Sequence, residues 1–330
     1  MVIAFGTRAS RVLMLLAVAS FATANPHAFA QHIHFQVPAP GSGGLRDLDA
    51  RDFQASKEEI RVCIYSGQAQ WLEKQQDEMS HLHRLPKLGA VVLLNHEVSS
   101  DELKYVASLQ NVERVWVGDA PEGVSVAAEA LTAFAEMRQL RDLQLCIHGL
   151  DKSHMRFLAE CRALSGLTIQ RASEWQWVHG KSPDGVIRLG ELTDSCGDHI
   201  AAVKTLDTLD VLGNRWLTDD FVEKISGLPK LRTLSIDSSL LTDDALRIIA
   251  ENMQLESLAI SSPLLTDAGV KKWLGRAGTL RNLEIDSPQL TDIAFDVLKP
   301  LSLQSLVINN CQSKRAQDEV KGPQSVEGER

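Results

Sequence analysis

The chain has 330 residues, 44% of them hydrophobic and 23% charged, with 34 Lys plus Arg set against 43 Asp plus Glu for a formal net charge of −9. That composition belongs to a soluble globular protein, and the acidic balance argues against nucleic acid as a partner, because phosphate backbones are held by clustered Lys and Arg. The five cysteines (Cys63, Cys146, Cys161, Cys196 and Cys311) are odd in number and match neither a zinc spacing nor a CxxC pair, so they read as buried thiols.

In chain order, Arg8 and Arg11 precede an apolar run over 12–24, and Ala28, Phe29 and Ala30 stand before Gln31. Positive charge, an apolar stretch too short for a bilayer and small residues at a cleavage point predict a secretory signal peptide over 1–30. The protein is then exported (periplasmic, envelope or extracellular), with no membrane span in the mature chain. Residues 31–56, with Pro38, Pro40 and GSGG at 41–44, predict a flexible linker. Residues 57–87 predict an N-terminal cap: the alternation at 59–65 suits a strand, and Leu72, Met79 and Leu82 suit one face of a helix over 71–85.

From 88 to 311 one phrase recurs. It is clearest as LDTLDV at 206–211, LRTLSI at 231–236, LESLAI at 255–260, LRNLEI at 280–285 and LQSLVI at 303–308, with steps of 25, 24, 25 and 23 residues. Looser copies are LGAVVL at 88–93, VERVWV at 112–117, LRDLQL at 140–145 and LSGLTI at 164–169, making nine phrases in all. A period of this length marks a repeat array, in which no unit buries its own apolar face. The first, fourth and sixth residues of each phrase point inward from a short strand. The second, third, fifth and seventh point outward.

Between strands stands Leu-Thr-Asp, at 217–219, 241–243, 265–267 and 290–292, followed by pairs at helical spacing such as Leu246 with Ile249, Val270 with Trp273 and Phe295 with Leu298. Thr or Asp opens each helix by capping its first N–H groups, and Asp suits the positive helix end.

These residues resemble the leucine-rich repeat family, in its subclass of about 24 to 26 residues with an LTDxGL-like phrase found in F-box-type and bacterial secreted proteins. LTDAGV at 265–270 is the nearest match. The resemblance implies an α/β fold: a right-handed, arc-shaped solenoid with a parallel sheet on its concave face, which holds a partner. The family often places Asn or Cys at the ninth repeat position. Asn214 and Cys311 fit, whereas Ser239, Pro263 and Pro288 depart from it.

The longest interruption, 42 residues from Leu164 to Leu206, contains Trp175, Trp177 and a stray Leu192-Thr193-Asp194. It reads either as a ligand-gripping loop at 173–185 or as a degenerate repeat with its tryptophans packed down. Residues 312–330 predict a disordered tail, which leaves the last strand uncapped and suggests a homodimer through the C-terminal edge strand.

Catalytic, cofactor and metal motifs are absent from the sequence: it has no phosphate loop, HExxH or GxSxG, and His81, His83, His148, His154, His179 and His199 share no ligand spacing. The expectation is therefore not an enzyme but a binding module without cofactor. It would take a protein or peptide through outward strand residues Arg114, Trp116, Asp207, Asp210, Arg232, Asp237, Glu256, Glu284 and Asp286, with Trp116 an exposed anchor. The alternatives are an enzyme or glycan-processing accessory with its site at 173–185, and a structural envelope protein assembling end to end.

Overall fold

An apolar residue at the first, fourth and sixth places of a six-residue phrase needs neighbours above and below to leave water. The computed structural model, which describes residues 32–38, 45–48, 61–66, 82–94, 97–118, 123–170 and 192–312, supplies them by stacking. In chain order the strands are β1 (His32–Pro38), β2 (Leu45–Leu48), β3 (Val62–Ser66), β4 (Ala90–Leu93), β5 (Glu97–Val98), β6 (Arg114–Val117) and β7 (Ser125–Val126). There follow β8 (Asp142–Leu145), β9 (Gly166–Gln170), β10 (Thr208–Leu212), β11 (Thr233–Asp237), β12 (Ser257–Ser261), β13 (Asn282–Asp286) and β14 (Ser305–Asn309).

Every one of the nine phrases forms a strand. They lie side by side in a 12-stranded sheet whose order is β14-β13-β12-β11-β10-β9-β8-β6-β4-β3-β1-β2, while β5 and β7 pair separately. From β3 to β14 all neighbours are parallel and in phrase register: Leu209 sits beside Leu234, Leu234 beside Leu258, Leu258 beside Leu283 and Leu283 beside Leu306. The 42-residue interval does not break the sheet, since β9 pairs directly with β10. Residues 171–191, which include Trp175 and Trp177, lie outside the described residues, as do residues 1–30, expected as a signal peptide, and the tail from 313.

One expectation changes at the N-terminal side. The segment expected as a flexible linker contains β1 and β2, and β1 pairs antiparallel with both β2 and β3. The chain is held in strands there because β3 offers an open backbone edge for β1 to satisfy. The cap strand is present as β3; the helix expected over 71–85 falls mostly outside the described residues, which resume with a short 3₁₀ turn at Leu82–Arg84.

Helices cover the other side of the sheet: α1 (Ser100–Ser108), α2 (Gly197–Ala201), α3 (Asp219–Ile225), α4 (Asp243–Asn252), α5 (Asp267–Lys272) and α6 (Asp292–Leu298), with 3₁₀ turns at Ala128–Glu136 and Arg156–Glu160. In α1 a capping box joins Ser99 and Glu102. Thr218, Thr242 and Thr291 accept from the second N–H of their own helices, and Thr266 from the third, that of Gly269. Helix and strand residues then share one continuous core from Cys63 to Cys311, in which Leu209, Leu234, Leu246, Leu265, Val270 and Leu290 are fully buried. Each such side chain contributes about 1.5–3 kcal/mol, so the stacked leucines outweigh any one polar contact.

Two polar ladders lock the repeats in register. The hydroxyls of Ser238, Ser262 and Ser287 donate at 2.6, 2.6 and 2.8 Å to the carbonyls of Leu217, Leu241 and Leu265 in the preceding repeat. Each serine also accepts from the N–H two residues on. These serines stand at the eighth repeat position, one before the place where Asn or Cys was expected, so the proline at the ninth costs the backbone nothing.

The second ladder is the Leu-Thr-Asp phrase itself. The carboxylates of Asp194, Asp219, Asp243 and Asp267 each accept from the N–H and the hydroxyl of the threonine one repeat later: Thr218, Thr242, Thr266 and Thr291, at 2.6–2.9 Å. The aspartate was expected to cap its own helix. It bridges to the next one. Asp194, in the phrase that looked stray, is the first rung.

Candidate functional site

Along each strand the third, fifth and seventh residues of the phrase face away from the helices, because strand side chains alternate. Across β10 to β14 the fifth-place row reads Asp210, Ser235, Ala259, Glu284 and Val307. The seventh-place residues beside it are Leu212, Asp237, Ser261, Asp286 and Asn309, and the third-place residues are Thr208, Thr233, Ser257, Asn282 and Ser305. At the third and fifth places the centre of this face, on β11 and β12, is therefore paved with Ser, Thr and Ala, and Asp237 closes β11 at the seventh. Carboxylates rise on both sides: Asp210 and Asp237 toward one end, Glu284 and Asp286 toward the other. From β10 to β13 is three strand spacings, or about 14 Å.

The wall carboxylates are held by neutral donors. The Thr168 hydroxyl donates to Asp210 at 3.3 Å, the Gly213 N–H to Asp237 at 3.1 Å and the Asn309 amide to Glu284 at 3.2 Å. The Asn310 amide donates to both oxygens of Asp286, at 2.9 and 3.0 Å. The result is a shallow trough with a small polar floor and acidic walls.

The other expected partner residues lie elsewhere. Arg114 and Trp116 are on the same face of the sheet but at its N-terminal side, where Val62, Ile64, Ala90 and Val92 form a separate buried apolar cluster. Trp116 packs against that cluster and is half-buried, not displayed as expected, because on one side its neighbour in register is the apolar Val92, and on the other the buried Gln144. Asp207, Arg232 and Glu256 occupy the second phrase position, just before their strands begin. With both the first and fourth residues inward, alternation fails between them and the second residue sits at the leading edge of the sheet. There Arg232 donates to the carbonyls of Leu231 and Gln254, and Arg232, Glu256, Thr279 and Arg281 line an open cavity of about 590 Å³. The nine residues thus separate into three places, of which the trough gathers Asp210, Asp237, Glu284 and Asp286.

None of the five cysteines forms a disulfide, and all are buried, as expected of core thiols. Burial pushes the Cys63 and Cys161 thiols up to about 12 and raises Cys196, so these sulfurs stay protonated and unreactive. Among the described residues no group of three His, Cys, Asp or Glu is placed to hold a metal ion. His154 faces the Asp151 carboxylate at 2.8 Å, and that carboxyl, although its desolvation works the other way, is held down at about 2 by hydrogen bonds from Ser153 and His154. No helix of the described residues is long and apolar enough to cross a membrane.

One feature was missed in the sequence. Four large apolar side chains are exposed among the described residues: Trp216 (51%), Leu240 (37%), Leu264 (42%) and Ile293 (56%). All four stand beside the Leu-Thr-Asp phrases of four successive repeats. The signal was the doubled apolar residue at 216–217, 240–241 and 264–265, of which the core takes only the second.

No family model matches the chain, and no curated protein matches it. Among solved structures it is similar to the crystal structure of the TLR13–ssRNA13 complex, with 14% identity, 81% of this chain and 34% of that one covered, and a TM-score of 0.51. The chain spans about a third of that protein's length. Two further likenesses are an internalin (inlF) from Listeria monocytogenes, 16% identical over 72% of this chain and 66% of that one at a TM-score of 0.43, and the yeast Rad7–Elc1 complex, 14% identical over 68% of each at 0.38. Likeness at such low identity speaks for fold alone, and the fold is a leucine-rich repeat solenoid with its parallel sheet on the concave face.

Proposed function

We propose that this solenoid is an exported interaction module that binds a protein or peptide on the C-terminal half of its concave face, through the trough between Asp210 and Asp237 on one side and Glu284 and Asp286 on the other. The observation that carries the reading is the pairing of a floor without bulky side chains, Ser235, Ser257, Ala259 and Ser261, with carboxylate walls. A floor of this kind admits a segment of chain close to the strands, and the walls favour Lys or Arg on that segment. The same walls repel a phosphate backbone, in keeping with the net charge. Recognition is by shape and charge, without cofactor, and export rests on the signal segment at 1–30.

The test is affinity capture from envelope extract with protein beginning at Gln31, repeated with Asp210→Lys, Asp237→Lys and Glu284→Lys combined. The expected result is a partner retained by the native chain and lost by the variant. A partner held equally by both would place recognition elsewhere.

A second reading, end-to-end pairing of two copies through β14, is favoured by one observation. Leu306 is only partly buried, whereas its register partners Leu283, Leu258, Leu234 and Leu209 are at most 1% exposed. Dimers in sedimentation that Val307→Lys abolishes would support it; a monomer at millimolar concentration would refute it.

A further inference from the structure

Exposed leucines scattered singly over a surface call for no explanation, but a concentration of them in one line does. Here three of the four large apolar side chains exposed among the described residues lie on one edge of the solenoid, at the turn from strand to helix, while the fourth, Ile293, stands in the first turn of α6. Trp216, Leu240 and Leu264 hold the same place, immediately before the buried Leu217, Leu241 and Leu265; in the next repeat that place is taken by the exposed Gln289, and Ile293 stands in the row of Asp220 and Asp244. Pro263 and Pro288 are exposed beside them.

The line is held straight and in step. Each of these turns is tied to the next by the Asp-to-Thr rungs, and from the inside by the serine hydroxyls. Apolar side chains therefore stand on this edge at the spacing of the strands beneath them, about 4.8 Å. An α-helix laid along the edge offers one side chain per turn, every 5.4 Å, whereas an extended strand offers one per face every 6.6–6.8 Å. Over the two steps from Trp216 to Leu264 the helix drifts by about 1 Å, within the reach of a rotamer change, and the strand by about 4 Å, more than half a position. Charge sets the flanks: on the strand side of the line stand Asp237 and Asp286, which are also walls of the trough, and on the helix side Asp220 and Asp244 are exposed, Asp244 being paired with Arg247 at 3.0 Å.

We propose that this edge is a second docking surface, whose occupant is an amphipathic α-helix of a partner protein, lying along the solenoid axis with an apolar seam on Trp216, Leu240 and Leu264 and with Lys or Arg on its flanks. Its apolar seam lies outside the trough, and the surface goes beyond that reading.

The experiment uses two labelled 18-residue peptides of the same leucine and lysine composition, one with leucines at helical i, i+3, i+4, i+7 spacing and one with leucines alternating. Fluorescence anisotropy with the full chain is expected to show the helical pattern bound at least tenfold tighter. Leu240→Ser with Leu264→Ser should weaken that binding at least tenfold, while Asp210→Asn with Glu284→Gln in the trough changes it less than threefold. Both serines replace exposed side chains, so the urea unfolding midpoint should stay in place. Equal binding of the two peptides, or unchanged binding by the Leu240→Ser, Leu264→Ser protein, overturns the proposal. So does sensitivity to the trough variant alone. Self-association in sedimentation that the same two substitutions abolish would identify the occupant as a second copy and also overturn it.

Discussion

Removing one rung of the aspartate ladder tests whether it holds the repeats together. In Asp243→Ala the N–H and hydroxyl of Thr266 lose a carboxylate that accepts from them at 2.9 and 2.6 Å. Hydrogen bonds to a charged group contribute roughly 1.5–3 kcal/mol each, but this rung is only partly buried and water replaces part of the loss, so the expected cost is about 2 kcal/mol. Asp243 also opens α4, where a negative charge contributes about 0.3–1 kcal/mol through the helix dipole. Asp220→Ala serves as the control, because Asp220 sits in the first turn of α3, is exposed and bridges to no later repeat. It should cost about 0.5 kcal/mol or less. Urea unfolding followed by circular dichroism gives both numbers, provided the slope of the transition is unchanged. A double-mutant cycle of Asp243→Ala with Thr266→Val should give a coupling of about 1 kcal/mol or more. If Asp243→Ala costs no more than Asp220→Ala, or if the two changes at the rung simply add, the ladder does not join the repeats and the stacked leucines act alone.

Gly118 has a left-handed backbone, φ 79°, and a Cβ there would stand 2.2 Å from the Cys146 carbonyl oxygen, so Gly118→Ala should cost about 2 kcal/mol or more in the same assay; a loss below about 0.5 kcal/mol would refute that geometry. Cys63 and Cys161, with thiols raised to about 12, should resist a disulfide reagent at pH 8 in the folded protein, and all five cysteines should react at once in denaturant. Prompt reaction of the native chain would show that the thiols are not buried. Asp151, held at about 2, stabilises the folded state above the ordinary carboxyl range and loses that contribution as pH falls through about 2. Its side chain is 55% exposed, so after screening Asp151→Asn should cost about 0.5–1 kcal/mol at pH 7 and nothing near pH 2; a pH-independent difference would refute the linkage.

What could be read in advance followed the range of the interaction. Strands and their inward residues were legible because Leu206, Leu209 and Val211, and their copies, are arranged by spacing alone. The threonine caps were legible because the cap and its N–H are two or three residues apart. Asp243 was misread as a local cap because its partner Thr266 lies 23 residues ahead, and nothing in one copy of the phrase points forward. Ser262 passed unnoticed for the same reason, its carbonyl partner lying 21 residues behind. The pairing of β1 with β2 was hidden by the Pro and Gly composition of 38–44, which marks a turn or a linker equally well. Trp116 was placed on the correct face, yet only the register with Val92 reveals the apolar bed beneath it. Of the candidate residues from β10 to β13, those at the fifth and seventh phrase positions reached the trough; those at the second did not, since two inward residues three apart put a corner between them.

The aspartate rungs all run the same way, from a carboxylate to a threonine later in the chain, and that polarity matters for a polypeptide made from its N-terminus. When Asp219 leaves the ribosome its donor Thr242 does not yet exist; it follows 23 residues later. If the repeats fold as they emerge, each docks on the one before it and presents the next, with only short loops to close. Synthesis stopped at a repeat boundary should leave a shorter but ordered arc, its last carboxylate still waiting for a hydroxyl.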